Sequence, residues 1–114
     1  MRVGASLLAL ASTCLLNCAR PSPTPSPAPV QGQVRTSRVA DGIFVLRGSG
    51  GNIGVSVGDD GVLLVDDGLP RLVDTVKAAV ALLSPRPLRI VLNTTWHYDH
   101  ADGNELLAQA GALI

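Results

Sequence analysis

Apolar residues alternate with small ones, or form unbroken runs, over the stretch from residue 42 to residue 65. Residues 42–46 and 53–57 predict two strands, and residues 53–57 have the alternation of a half-buried strand. Residues 62–65 are apolar throughout, which is typical of a strand covered on both faces. The glycines of residues 48–52 and the Asp-Asp-Gly sequence of residues 59–61 predict the turns that connect these strands.

Beyond Gly68 the apolar residues follow helical spacing. They lie three or four positions apart between Leu69 and Leu83, and Pro70 suits a first helical turn. A Ser-Pro pair after Leu83 predicts the end of this helix. Residues 88–92 are again apolar enough to predict a strand.

A second helix is predicted near the C-terminus of the sequence. Asp102 and Glu105 have the spacing of a capping box, with aspartate in place of serine or threonine, and apolar residues follow. Gly111 predicts the end of this helix, and residues 112–114 predict the beginning of another strand. The order of strands and helices predicts a mixed α/β fold.

The first 34 residues have the pattern of export and tethering rather than of a folded domain. Residues 1–18 predict a signal peptide, because a basic start precedes an apolar run too short for a membrane span. Cys18 is a candidate for lipidation, since Leu15 lies three positions ahead of it, although Asn17 departs from the usual small residue. Both an ordinary and a lipoprotein signal therefore stay open. Alternating prolines over residues 19–34 predict a disordered linker, which leaves residues 35–114 as the folded part.

The composition of the chain limits the classes of partner that it is expected to bind. The 114 residues carry no formal net charge and no run of Lys or Arg, which argues against nucleic acid as a partner. Contact with a membrane is expected only through a lipid anchor. The folded part has roughly 80 residues, a size at which burial of a core is marginal. Together with the strand predicted at residues 112–114, this favours a piece of a larger domain.

Candidate chemistry is concentrated in residues 93–104, which hold both histidines of the chain. His97, Asp99 and His100 are the nitrogen and oxygen ligands that zinc accepts, and three ligands leave a position open for water. In an extended loop, the side chains of residues 97 and 99 would project to one side and that of residue 100 to the other. Spacing alone leaves open whether these are ligands or ordinary surface residues.

Four neighbouring residues have simpler explanations. Trp96 and Tyr98 are expected to pack in the core or at its rim, and Asp102 is explained by helix capping. Asp67 is explained by turn chemistry at a strand end. For Asp66 the residues alone leave both a site role and a turn role open.

The sequence resembles the N-terminal half of the metallo-β-lactamase fold superfamily. The resemblance covers residues 35–114 and rests on three stretches: residues 50–58, 61–68 and 93–104. It implies an αββα sandwich, with a mixed sheet, helices outside and a metal site at the sheet edge. In the family motif His-x-His-x-Asp-His, His97 matches a ligand of the first zinc site, and Asp99 and His100 match ligands of the second. Asp66 matches the aspartate that supports the site from behind the ligands.

Thr95 departs from this motif, because it stands where the family has its first histidine. A threonine hydroxyl is a poor zinc ligand beside imidazole, so the first zinc site is expected to be weakened. Some members of the superfamily have asparagine at this position and use one zinc ion in the second site. The family's later ligands correspond to positions beyond Ile114.

The resemblance implies a zinc-dependent hydrolase, and the signal-peptide pattern predicts its export to the periplasm or cell envelope. It would act on a small-molecule substrate by hydrolysing an amide, ester, thioester or lactone bond. Asp99 would coordinate the metal and orient or deprotonate the attacking water. Two alternatives stay open: an inactive protein that retains the fold, which Thr95 favours, and a truncated product that does not fold stably.

Overall fold

The computed structural model describes residues 33–114, which form a single five-stranded mixed sheet. The predicted signal peptide, Cys18 and nearly all of the predicted linker lie outside the described residues. Of the linker, only Gln33 and Val34 are described, and Val34 already packs against the core. The strands are β1 Arg35–Ala40, β2 Ile43–Arg47, β3 Ile53–Gly58, β4 Gly61–Val65 and β5 Leu88–Leu92.

The strands lie in the sheet in chain order, with one change of direction. Each of β1 to β4 pairs antiparallel with its neighbour, and β5 pairs parallel with β4. Gly58 pairs with Gly61, so the hairpin predicted at residues 59–61 is confirmed. Gly61 has a φ of +140°, and an added Cβ there would lie 2.4 Å from Cγ of Arg89. Glycine is therefore required at the start of β4, where the backbone lies against β5.

The helices follow the two parallel strands. A 3₁₀ turn, Pro70–Leu72, leads into α1, Val73–Leu83, and the helical turns α2, Tyr98–Ala101, and α3, Asn104–Gln109, follow β5. Leu113 then forms a parallel bridge to Ile90, so the strand predicted at residues 112–114 begins as expected. This α/β arrangement confirms the predicted fold class.

The core lies between α1 and one face of the sheet. Val73, Val76 and Val80 of α1 are buried against Leu64 and Val91. Leu64 and Val76 have no exposed surface at all. The helical period of the apolar residues in α1 and the period of two in the strands both predict this packing.

The opposite face of the sheet is apolar and only partly covered within residues 33–114. Ile90 and Leu92, which pair with Leu63 and Val65, are 36% and 52% exposed. Burial of β4 on both faces, as the sequence predicts, is therefore incomplete in the described residues. In the αββα arrangement, the face opposite the helices is the one that meets a second sheet.

None of the helices between residues 33 and 114 has the length and apolar character needed to cross a membrane.

Candidate functional site

The site lies where three segments meet at the C-terminal ends of the parallel strands β4 and β5. The loop after β5 carries the histidines and folds back over residues 66–68, which follow β4. Asp67 donates its backbone N–H to the carbonyl of His100 at 2.9 Å, and Gly51 donates to the carbonyl of Asp99 at 3.2 Å. The glycine turn between β2 and β3 thus becomes one wall of the site.

Asp66 is the anchor of the site. Its side chain is buried, and its carboxylate accepts the backbone N–H of Thr94 at 2.7 Å and the Thr94 hydroxyl at 2.8 Å. Nδ1 of His100 lies 2.8 Å from the same carboxylate. Burial raises the pKa of Asp66, but the hydrogen bonds from Thr94 and His100 outweigh burial and bring that pKa below its ordinary value. The carboxylate is therefore an ionised acceptor at neutral pH.

This acceptor fixes the tautomer of His100. An ionised carboxylate can only accept, so Nδ1 of His100 carries the proton and the neutral ring presents a lone pair at Nε2. Nε2 lies 3.6 Å from Oδ2 of Asp99. Two ligands bound to a tetrahedral zinc ion stand about 3.4 Å apart. Asp99 and His100 therefore fit two neighbouring positions around one zinc ion.

The same hydrogen bond affects protonation of His100. The bond to Asp66 is the largest effect and raises the pKa of His100 above its ordinary value, and the negative charges of Asp99 and Asp66 add to it. Burial acts in the opposite direction but is outweighed. Because zinc requires neutral imidazole, metal binding is expected to weaken as the pH falls through this raised pKa.

His97 is held differently, and the structure does not bring it to the other two. Its Nδ1 lies 2.6 Å from the hydroxyl of Thr95, and its ring stacks on Trp96 with centroids 4.7 Å apart and planes at 16°. Over residues 33–114, no group of three or more His, Cys, Asp or Glu side chains is arranged to hold a metal ion. His97, Asp99 and His100 are therefore close in sequence without forming one ligand set.

Helix α2 explains this separation. The sequence predicts an extended loop through residues 97–100, but His100 and Ala101 both donate backbone N–H groups to the carbonyl of His97. A helical turn results, with His97 at its N-cap in extended conformation. The prediction of an extended loop is wrong here because these local hydrogen bonds close the turn.

Three further predictions around the loop are wrong. Trp96 and Tyr98 are 84% and 66% exposed, so neither packs in the core. The capping box at Asp102 does not form, because Gly103 is the N-cap of α3 and no side chain of the cap bonds to the helix. The acceptor at the start of α3 is instead Asp67, which follows β4. Its Oδ1 accepts the backbone N–H of Gly103 at 3.0 Å.

Asp67 is accordingly more than a turn residue. Its side chain is completely buried, and within the described part of the chain its Oδ2 has no hydrogen-bond partner. Burial raises the pKa of Asp67 to about 6, and the charges of Asp66 and Asp102 act in the same direction, against the hydrogen bond from Gly103. Asp67 thus connects α3 to the end of β4. At neutral pH its carboxylate is ionised although it is buried, which is unfavourable.

Because the buried carboxylate of Asp67 is unfavourable when ionised, we expect the stability of the folded chain to depend on pH. Because the pKa of Asp67 is higher in the folded chain than its ordinary value of 3.8, the folded state binds more protons between pH 4 and 6. Stability from this group is thus present below pH 4 and is lost as the pH rises to 6, by up to about 3 kcal/mol. Urea unfolding of the metal-free chain should show this loss, and the Asp67→Asn variant, which cannot ionise, should lack it. Parallel pH profiles for the two proteins would contradict the assignment.

Two residues of the site carry no metal-ligand signature in the sequence. Thr94 gives Asp66 two of its hydrogen bonds. Asn93 donates its side-chain N–H to the carbonyl of His100 at 3.4 Å and accepts one from Asn104 at 2.8 Å. Their only sequence signal is their position at the end of a predicted strand, immediately before the histidines.

Comparison with known proteins identifies relatives of this arrangement. A family model described as the metallo-beta-lactamase superfamily matches residues 46–113. The fold is similar to native FEZ-1 metallo-beta-lactamase from Legionella gormanii, at 26% identity and a TM-score of 0.60 over 76% of this chain and 32% of that one. MIM-2 metallo-beta-lactamase is similar at 27% identity and a TM-score of 0.59, over 75% of this chain and 32% of that one.

A metallo-beta-lactamase from Erythrobacter litoralis has a TM-score of 0.60 at 23% identity, over 71% of this chain and 40% of that one, and it bears on the fold alone. No curated protein matches the sequence. The chain thus spans about a third of the length of the FEZ-1 and MIM-2 enzymes.

Proposed function

Since the chain belongs to the metallo-beta-lactamase superfamily, we propose that it contributes one half of a zinc-binding site to an exported hydrolase. The reaction class is hydrolysis of an amide, ester, thioester or lactone bond in a small-molecule substrate. The observation that carries the proposal is the pair of Asp99 Oδ2 and His100 Nε2, 3.6 Å apart, with His100 oriented by Asp66. The MIM-2 and FEZ-1 proteins are named as metallo-beta-lactamases, and on that ground we include a β-lactam among the candidate substrates.

Each residue has a definite task in this proposal. Nε2 of His100 and the carboxylate of Asp99 would hold the ion, while Asp66 keeps the His100 ring in the required tautomer. When bound, zinc lowers the pKa of a coordinated water towards neutrality and polarises a substrate carbonyl. The second oxygen of Asp99 can accept a hydrogen bond from the attacking water and take its proton.

Export and location form a separate part of the proposal. The predicted signal peptide over residues 1–18 supports delivery to the periplasm or cell envelope. Lipidation at Cys18 would tether the domain through the proline-rich linker. A membrane association that disappears in the Cys18→Ala variant would support the anchor.

An inactive protein that retains the fold is the second candidate function. It is favoured by Thr95, whose hydroxyl occupies Nδ1 of His97 at 2.6 Å and offers no good zinc ligand in return. On this hypothesis the chain would bind zinc no better when a ligand is restored at position 95.

Restoring the family ligand should strengthen zinc binding. The Thr95→His variant adds an imidazole and releases Nδ1 of His97 from the Thr95 hydroxyl, so we expect zinc to bind at least about tenfold more tightly. Thr95→Val is the matched control, because it releases His97 without adding a ligand. Competition with a chromophoric chelator gives the affinities. Equally tight binding by the natural chain and Thr95→His would refute the proposed role of position 95.

A further inference from the structure

A groove between α1 and α3 lies away from the metal site. Two adjoining cavities of about 360 and 310 Å³ form it, and both are lined by Lys77 and Ala110. The larger cavity reaches Leu88 at the start of β5, whereas the site follows Leu92 at its end. From Leu88 to Leu92 the strand rises about 13 Å. The larger cavity has the volume of small-molecule sites in proteins, about 300–1,000 Å³.

The walls of the larger cavity are mainly apolar. They come from the C-terminal half of α1, the start of β5 and the segment around α3. Besides two prolines, the apolar lining residues are Val80, Ala81, Leu88, Leu107, Ala110 and Ala112. Such walls are suited to an alkyl chain, whose transfer from water is favoured by burial of apolar surface.

The polar groups of the larger cavity are two cations and one hydroxyl. Ser84 is 5% exposed, and its Oγ accepts the backbone N–H of Arg86 at 3.1 Å. Among residues 33–114 its hydroxyl proton has no acceptor, so Ser84 retains a donor for a ligand. Lys77 and Arg86 line the same cavity.

Within the described residues, Lys77 and Arg86 form few ion pairs with acidic side chains. No carboxylate lines the larger cavity. Arg86 forms no ion pair within the described residues, and Lys77 has only Asp74, whose fully exposed oxygen lies 3.8 Å away. A buried hydroxyl donor and two weakly paired cations that line one cavity are complementary to a carboxylate.

We propose that this groove is a binding site for an alkyl carboxylate, such as a free fatty acid. The carboxylate lies near Ser84, Lys77 and Arg86, and the alkyl chain lies along the apolar walls towards Ala110. This assignment is independent of the metal site and of the proposed hydrolase activity. It adds to the chain a lipid-like ligand at the opposite end of β5.

Titration of the full chain with dodecanoate, below its micelle concentration, tests the proposal by calorimetry and amide chemical shifts. We expect saturable binding of one dodecanoate per chain, with shifts at residues that line the groove. Dodecanol, which lacks the charge, should bind about tenfold more weakly, as the loss of a charge-assisted hydrogen bond implies. Equal affinity for the two compounds, or no saturable binding, would overturn the assignment.

Two pairs of variants locate the ligand. Ala110→Trp fills the groove and should weaken dodecanoate binding at least about tenfold, whereas Ala108→Trp, on the exposed side of α3, should leave it unchanged. The double variant Lys77→Glu and Arg86→Glu should have the same effect as Ala110→Trp, with Arg71→Glu as its control. All five positions are exposed, so folding is expected to be retained and is checked by circular dichroism. Full binding by Ala110→Trp and by the double variant would place the ligand elsewhere and defeat the proposal.

Discussion

Replacing Asp66 by alanine is expected to lower the free energy of unfolding by about 3 kcal/mol, because one change removes the acceptor for three donors. The carboxylate binds the backbone N–H and the hydroxyl of Thr94 as well as Nδ1 of His100, and all three would lose their partner. Asp66 also has a φ of +65°, a left-handed conformation that alanine tolerates less well than aspartate or asparagine. In a domain of this size, such a loss would leave much of the chain unfolded.

The Asp66→Asn variant separates the structural role from the metal role. Asparagine tolerates the same backbone conformation and can still accept from Thr94, so most of the stability should be retained. It lacks the charge that orients His100, and zinc affinity should therefore fall by about 10- to 100-fold. Urea unfolding and zinc competition measure the two effects. A stable Asp66→Asn protein that binds zinc as well as the natural chain would contradict the role of Asp66 in orienting His100.

The Gly51→Ala substitution should disrupt the site without touching a ligand. A Cβ at position 51 would lie 2.8 Å from Cε1 of His100 and 2.9 Å from the carbonyl oxygen of Asp99. The ring and the loop must move apart, which costs about 1–3 kcal/mol and displaces His100 from Asp66. We expect lower stability together with loss of zinc binding, measured by unfolding and by zinc competition.

Gly58→Ala is the matched control for Gly51→Ala. Gly58 lies in the neighbouring β3, and an added Cβ there would meet only the carbonyl oxygen of Gly61, at 3.9 Å. Neither glycine is in the left-handed region, so the two variants differ mainly in what the new methyl group contacts. Equal stability and equal zinc binding in the two variants would show that the turn is not a wall of the site.

The elements that were predicted from the sequence are those whose pattern reflects burial. Helix α1 and strand β5 were predicted at close to their observed bounds, because their buried positions recur with the period of the element. Strand β1 was not predicted, since five of its six residues are exposed and it is an edge strand held by pairing with β2. A strand that forms mainly through hydrogen bonds to its partner strand has no hydrophobic pattern by which it could be predicted.

The site was predicted less completely than the fold. The family resemblance is confirmed by the match over residues 46–113. It did not reveal that the loop contains a helical turn, or that Asp67 crosses to Gly103. The helical turn forms through local hydrogen bonds that compete with extended backbone. The bond between Asp67 and Gly103 joins segments 36 residues apart. The roles of His97, Asp99 and His100 as zinc ligands stay predictions.

In the proposed function zinc binds at Asp99 and His100, while His97 contacts Thr95 and Trp96 instead. Zinc affinity of the full chain and of the His100→Ala and His97→Ala variants tests it most directly. We expect weak binding by the natural chain, loss of binding in His100→Ala, and a change of less than about threefold in His97→Ala. Loss of binding in both variants to the same extent, or zinc retained by His100→Ala, would contradict it.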